Sequence, residues 1–159
     1  MSYIEVEYPK DKTEFYKMLK EQLLLYTAGE TDLIAVLANA CSVIKQAFEG
    51  ANWAGFYLAD ENGLRLGPFQ GKPAVSRIAI GAGVCGTALE RGESVVVDEV
   101  DCFEGHIACD CNTHSEIVIP LKKGGNIWGV LDMDSVEPAY FDESDRLGLE
   151  SLTEIFYRE

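Results

Sequence analysis

Apolar residues recur at helical spacing through the first third of the chain. Phe15, Leu19, Leu23 and Tyr26 predict one helix, opened by Asp11 with Glu14 in a capping-box spacing and ended by Gly29. Thr31 or Asp32 starts a second, with Leu33, Leu37, Ala40, Ile44 and Phe48 on one face and Gly50 as its stop. Cys41 lies beside that stripe and reads as a small core residue.

At Trp53 the period shortens to two. Trp53–Leu58 reads as a strand, with Glu61-Asn62-Gly63 turning it into Leu64-Arg65-Leu66. Alternation puts Trp53, Gly55 and Tyr57 on one face and Ala54, Phe56 and Leu58 on the other. The first face is either a notch between two rings or aromatic packing with glycine as a space-saver. Arg77–Ile80 predicts a strand, about 84–91 a short helix, and Ser94–Val97 another strand. The segment from Asp98 to His114 has no clean period, and a loop of that length in a compact domain is usually functional. Glu116–Leu121 and Ile127–Asp134 form a strand pair around Lys-Lys-Gly-Gly-Asn, and Asp142 caps a last helix bearing Leu147, Leu149, Leu152, Ile155 and Phe156. The order α-α-β-β-β-α-β-loop-β-β-α, with hairpin-like connections, predicts one α/β (α+β) domain over 1–159. Its sheet is expected to be mainly antiparallel and flanked by helices.

The chain has 159 residues, of which 47% are hydrophobic, enough for a single core. No apolar run reaches the roughly 20 residues of a membrane span. The N-terminus lacks the basic and apolar regions of an export signal, so the expected setting is cytoplasmic. A net charge of −14 repels polyphosphates and speaks against nucleic acid as a partner. Five cysteines without an export signal fit a reducing compartment, in which thiols stay free or react.

Polar groups on apolar segments mark the candidate chemistry. Asp132 and Asp134 share one face of an otherwise apolar strand, and Glu116 lies on its neighbour. Such acids are costly to bury unless they are paired or bind something. Gly81-Ala82-Gly83-Val84-Cys85-Gly86 matches G-x-G-x-x-G, but the following helix is short and Asp98 comes too soon for a dinucleotide fold. The glycines instead turn the chain tightly into the helix. Cys85 is then either a buried cysteine at a turn or a thiol activated by a helix N-terminus. His106, Cys109, Cys111 and His114, with Cys102 upstream, offer zinc donors, but their spacing is tighter than in ordinary zinc sites, and no metal is expected. His106 could equally serve a thiol at Cys109 as a base, or be an ordinary loop histidine.

With these residues laid out, the chain resembles the free methionine-(R)-sulfoxide reductases, stand-alone enzymes of the GAF fold. The likeness runs through Asn52-Trp53-Ala54-Gly55-Phe56-Tyr57, Leu66-Gly67-Pro68-Phe69-Gln70-Gly71-Lys72 and Gly83-Val84-Cys85-Gly86-Thr87. It continues through Gly105-His106-Ile107-Ala108-Cys109-Asp110, Ser115-Glu116-Ile117-Val118 and Gly129-Val130-Leu131-Asp132-Met133-Asp134-Ser135. The resemblance implies thioredoxin-dependent reduction of the R epimer of free methionine sulfoxide, with no bound cofactor. By the same likeness Cys109 attacks the substrate and Cys85 is the second active-site cysteine. Glu116, Asp132 and Asp134 are the pocket acids, with Glu116 and Asp134 among the catalytic groups. Trp53 and Tyr57 surround the methyl-sulfoxide end. A homodimer fits the family's habit.

One position departs from that pattern. Where many members carry a third cysteine ten residues before the Gly-Val-Cys-Gly cysteine, this chain has Val75. Cys102 and Cys111 are additional. A Cys109–Cys111 disulfide would close a small strained ring, and Cys102 would need its loop to fold back. Cys85, shared with the family and expected to gain thiolate character from a helix N-terminus, is the favoured partner of Cys109. Cα atoms within roughly 7 Å would then be required. The rival class is a non-catalytic GAF module that senses a small ligand. It leaves the cysteines without a role and expects an output domain, for which 159 residues leave no room.

Overall fold

The computed structural model describes residues 3–105 and 111–159, with no side chain described at Cys102. Two helices come first, α1 (Lys12–Thr27) and α2 (Leu33–Ala47), then strands β1 (Ala51–Asp60), β2 (Gly63–Gln70) and β3 (Arg77–Ile78). Helix α3 (Gly83–Arg91) and strand β4 (Val95–Val97) precede a short 3-10 turn at Val100–Cys102. Strands β5 (Ser115–Lys123) and β6 (Asn126–Ser135) and helix α4 (Glu143–Glu150) follow, and the chain closes on a 3-10 turn at Thr153–Phe156.

The six strands lie in the order β3-β2-β1-β6-β5-β4, and every neighbouring pair is antiparallel. Local chemistry accounts for the elements. Asp11 accepts from the Glu14 N–H and Asp32 from the Ala35 N–H, each satisfying an orphan donor at a helix start. Gly124 and Gly125 both take positive φ (57° and 83°), which a two-residue hairpin between β5 and β6 demands.

Alternation along the central strands sorts side chains to two faces. Ala54, Phe56, Leu58, Ile117, Ile119, Leu121, Leu131 and Met133 join the core with Leu19 and Leu23 of α1 and Leu37 and Ile44 of α2. The opposite face carries Trp53, Tyr57, Val118 and Val130 against Val84, Cys85 and Ala88 of α3. Burying each large apolar side chain contributes about 1.5–3 kcal/mol, so the first face supplies most of the driving force.

Several expected boundaries shift. The second helix stops at Ala47, before Gly50, and β3 ends at Ile78, leaving Ile80 exposed. The last helix is shorter than its apolar spacing suggests. The Ser151 hydroxyl donates to the Gly148 carbonyl and the Thr153 hydroxyl to that of Glu150. Such local bonds compete with the helical ladder. The chain therefore tightens into a separate 3-10 turn that carries Ile155 and Phe156, while Leu147 points to solvent at 55% exposure.

Candidate active site

Strand register assembles the site. Glu116 on β5 sits directly opposite Asp134 on β6, and Val118 opposite Asp132. On the other side of β6, Trp53 faces Asp134 and Gly55 faces Asp132. All three acids therefore lie on the sheet face covered by α3, whose third residue is Cys85. They line one pocket with Cys85, Tyr57 and Val75. Glu116, Asp132 and Asp134 are only 5%, 6% and 7% exposed, and Cys85 only 4%. Like charges placed opposite one another on a sheet destabilise it, so this register opposes folding.

Protons relieve that conflict. Burial, reinforced by the charge of Asp134, pushes the Glu116 carboxyl up to about 8, against the opposing effect of hydrogen bonds with Asp132 and Cys85. Burial also drives Asp132 well above the usual carboxylate range, and the charge of Glu116 and a hydrogen bond to it act the same way. Glu116 and Asp132 therefore hold at least one proton between them at neutral pH. The Cys85 thiol donates to Glu116 Oε1 at 3.9 Å.

Cys85 does lie at the start of a helix, in line with its sequence. Its expected thiolate character is overturned. Burial raises the thiol well above its ordinary value, and the charges of Asp132, Glu116 and Asp134 raise it further. A helix N-terminus does not outweigh burial reinforced by neighbouring acids. The resting form of Cys85 is the neutral thiol.

The aromatic pair settles on its plainer alternative. The Trp53 ring lies over Gly55 and stacks on Phe69, with centroids 5.3 Å apart. A Cβ at Gly55 would come within 2.4 Å of Phe69 Cβ and 2.6 Å of Trp53, so the glycine saves space under a filled stack. Trp53 Nε1–H donates to the Lys72 carbonyl at 3.1 Å, and the Tyr57 hydroxyl to the Val75 carbonyl at 3.0 Å. Both rings thus fasten the 71–76 loop beside the pocket. Ile78, Ala82 and Val84 also line it, and nothing in their sequence pattern marks them out.

The other cysteines and histidines separate. Cys41 is buried and its thiol donates to the Pro68 carbonyl at 3.0 Å, as a core residue would. Cys111 is free and exposed. His114 Nδ1 pairs with Glu99 Oε2 at 3.1 Å. The backbone around it is tied down, Val100 N–H donating to the His114 carbonyl and His114 N–H to that of Ser135. His106 and Cys109 lie outside the described residues, and with them the attacking thiol and its approach to Cys85. The sole cluster of metal-donor side chains among the described residues is Cys85 with Glu116 and Asp132. No described helix is long and apolar enough to cross a membrane.

Known proteins share this fold and much of this sequence. The GAF domain family matches residues 32–156. The free methionine-R-sulfoxide reductase of Escherichia coli is 46% identical over 142 residues, covering 89% of this chain and 86% of that protein. The crystal structure of a free methionine-R-sulfoxide reductase from Neisseria meningitidis, in complex with its substrate, superposes with a TM-score of 0.90 at 45% identity. That match covers 96% of this chain and 92% of the other. A structure described as a putative GAF sensor protein from Burkholderia vietnamiensis is 48% identical with a TM-score of 0.88, over 92% and 93% of the two chains. The fold and the match to the reductases along nearly the whole chain agree. The chain belongs to the free methionine-(R)-sulfoxide reductase family of GAF-domain oxidoreductases.

Proposed function

We propose that this protein reduces free L-methionine (R)-sulfoxide to methionine at the pocket of Cys85, Glu116, Asp132 and Asp134. One observation carries the reading. Four polar groups from α3, β5 and β6 converge in a buried pocket, and at least two of them are held protonated by their surroundings. A sulfoxide oxygen must be protonated to leave, and a neutral carboxylic acid supplies that proton. A free amino acid also brings an ammonium group, which the remaining carboxylate charge can hold.

In this scheme a thiolate at Cys109 attacks the sulfoxide sulfur, forming an S–S bond while the oxygen takes a proton from the acid pair. Transfer of the resulting hydroxyl to the Cys109 sulfur breaks both that S–S bond and the substrate S–O bond, which releases methionine and leaves a sulfenic acid on Cys109. The Cys85 thiol then attacks the sulfenic sulfur, expelling water and closing a Cys85–Cys109 disulfide. Thioredoxin, an external dithiol, supplies two electrons and two protons to reopen it. Cys85 needs a base for its own step, because its resting form is the thiol. Glu116, 3.9 Å away, can take that proton once it has given up its first. The reaction calls for no bound cofactor, and a setting with thioredoxin, such as the cytoplasm, suits it.

NADPH consumption in the presence of thioredoxin, thioredoxin reductase and free methionine (R)-sulfoxide tests the reading. Turnover with the R epimer and not the S epimer supports it. Tight binding of methionine or its sulfoxide without turnover would return the chain to the sensor class.

A further inference from the structure

The geometry points to Cys85, Glu116 and Asp132 as a binding site for a divalent metal ion of the zinc class, occupied in competition with the sulfoxide substrate. One donor atom from each residue lies within 4.8 Å of the other two, all three side chains being buried. Cys85 Sγ and Glu116 Oε1 are 3.9 Å apart. A tetrahedral zinc ion with sulfur at about 2.3 Å and oxygen at about 2.0 Å spaces those ligands roughly 3.5 Å apart. Small rotations of the three side chains therefore close the site without moving the sheet.

A second observation points to an absent cation. Asp132 is 6% exposed, and its Oδ1 atom is buried with no hydrogen-bond partner. A buried carboxylate oxygen without a donor costs free energy, which a bound cation would offset. No Lys, Arg or His lines the pocket among the described residues.

The donor set decides which cation. One thiolate with two carboxylates suits a borderline-soft ion such as zinc, or cobalt and cadmium as probes of it. Calcium and magnesium prefer all-oxygen shells and gain nothing from Cys85. Three protein ligands leave a fourth position for water. The exchange is not a redox step: the metal–sulfur bond replaces the Cys85 S–H bond and the proton goes to solvent. Sulfur binds the metal as a thiolate, so uptake at neutral pH must release the Cys85 proton, and affinity must rise with pH. Metal binding is independent of the proposed reaction, whereas inhibition rests on it.

Titration of the reduced, metal-free chain with cobalt(II) provides the test. The expected result is one ion per chain, a thiolate-to-cobalt charge-transfer absorption, displacement by zinc, and proton release measured calorimetrically in two buffers. Cys85→Ser should lose the absorption, Asp132→Asn should weaken cobalt binding roughly 10-fold or more, and Cys111→Ser should change neither. Asp132→Asn preserves shape and removes a buried acid, so it carries the test if Cys85→Ser fails to fold. No charge-transfer band in the wild type, a band that survives Cys85→Ser, or one lost in Cys111→Ser would overturn the site. Zinc should also suppress methionine formation by the reduced chain, with excess substrate relieving it. A chain that binds cobalt as described but never forms methionine would remove the proposed function and leave the metal site standing. An active chain without cobalt binding would do the reverse.

Discussion

The two faces of the sheet are built on opposite principles. Against α1, α2 and the terminal turn, the sheet presents mainly apolar side chains, and Phe56 meets Phe156 edge-on with centroids 5.1 Å apart. Against α3, strands β5 and β6 place Glu116, Asp132 and Asp134 in a pocket with almost no exposure. The first arrangement lowers the free energy of folding with every contact. The second raises it, since buried acids must be paired or protonated. A fold that retains such a cluster gives up stability there, and the difference between the faces marks where function sits. It also predicts that substitutions will sort cleanly, with stability lost on one side and activity on the other.

The sharpest separation should come from Cys85→Ser. That variant should release one equivalent of methionine per chain and then stop, losing all thioredoxin-driven turnover, as measured by NADPH oxidation. Continued turnover, with peptide mapping that shows Cys109 joined to Cys102 or Cys111, would transfer the resolving role to one of the extra cysteines.

Next in size is the effect of substrate form. If the acid face holds the ammonium of a free amino acid, N-acetylmethionine sulfoxide should lose several kcal/mol of transition-state binding, roughly 100-fold or more in kcat/KM. Comparable values for the two compounds would remove that role from the acid face.

On the apolar face, Phe56→Ala should destabilise the fold by about 3–5 kcal/mol in urea unfolding, while methionine formed per folded chain stays near wild type. A variant of normal stability and no activity would erase the contrast between the faces.

The smallest effect should be the most telling. Glu116 is held at about 8 in the fold against an ordinary value of 4.5. Its folded state binds the extra proton, so its contribution to stability is present below the lower value and is lost as pH rises through the higher one. Glu116→Gln lacks that dependence. Its Tm relative to wild type should climb across the same window, while its methionine formation falls. In the wild type, a protonated Glu116 acting as the acid makes single-turnover rates decline above about pH 8. A rate that keeps rising with pH beyond that value would assign the proton to another group.

Much of this contrast was legible in the sequence. The period-two alternation of Trp53–Leu58 and of Gly129–Asp134 separates the faces correctly, because a strand has only two, whereas Trp128 turns to the apolar core where the β5–β6 register shifts. The fate of Cys85 was not legible. Its helix position is local, whereas its thiol is raised first by burial under the sheet and then by charges on residues 31, 47 and 49 places further along the chain. The Trp53–Gly55–Tyr57 pattern likewise left notch and stack open until Phe69 on β2 could be placed against it. The shortened last helix escaped because Ser151 and Thr153 act through bonds to nearby carbonyls, which apolar spacing does not record.

The central claim is that a thiol of this chain reduces the free sulfoxide, and one measurement reaches it directly. Fully reduced protein, without thioredoxin, is mixed with excess free L-methionine (R)-sulfoxide, and methionine is counted per chain. The account predicts one equivalent from the wild type and none from Cys109→Ser, because a hydroxyl at neutral pH is far less nucleophilic than a thiolate. No methionine from the wild type, or a full equivalent from Cys109→Ser, would contradict it.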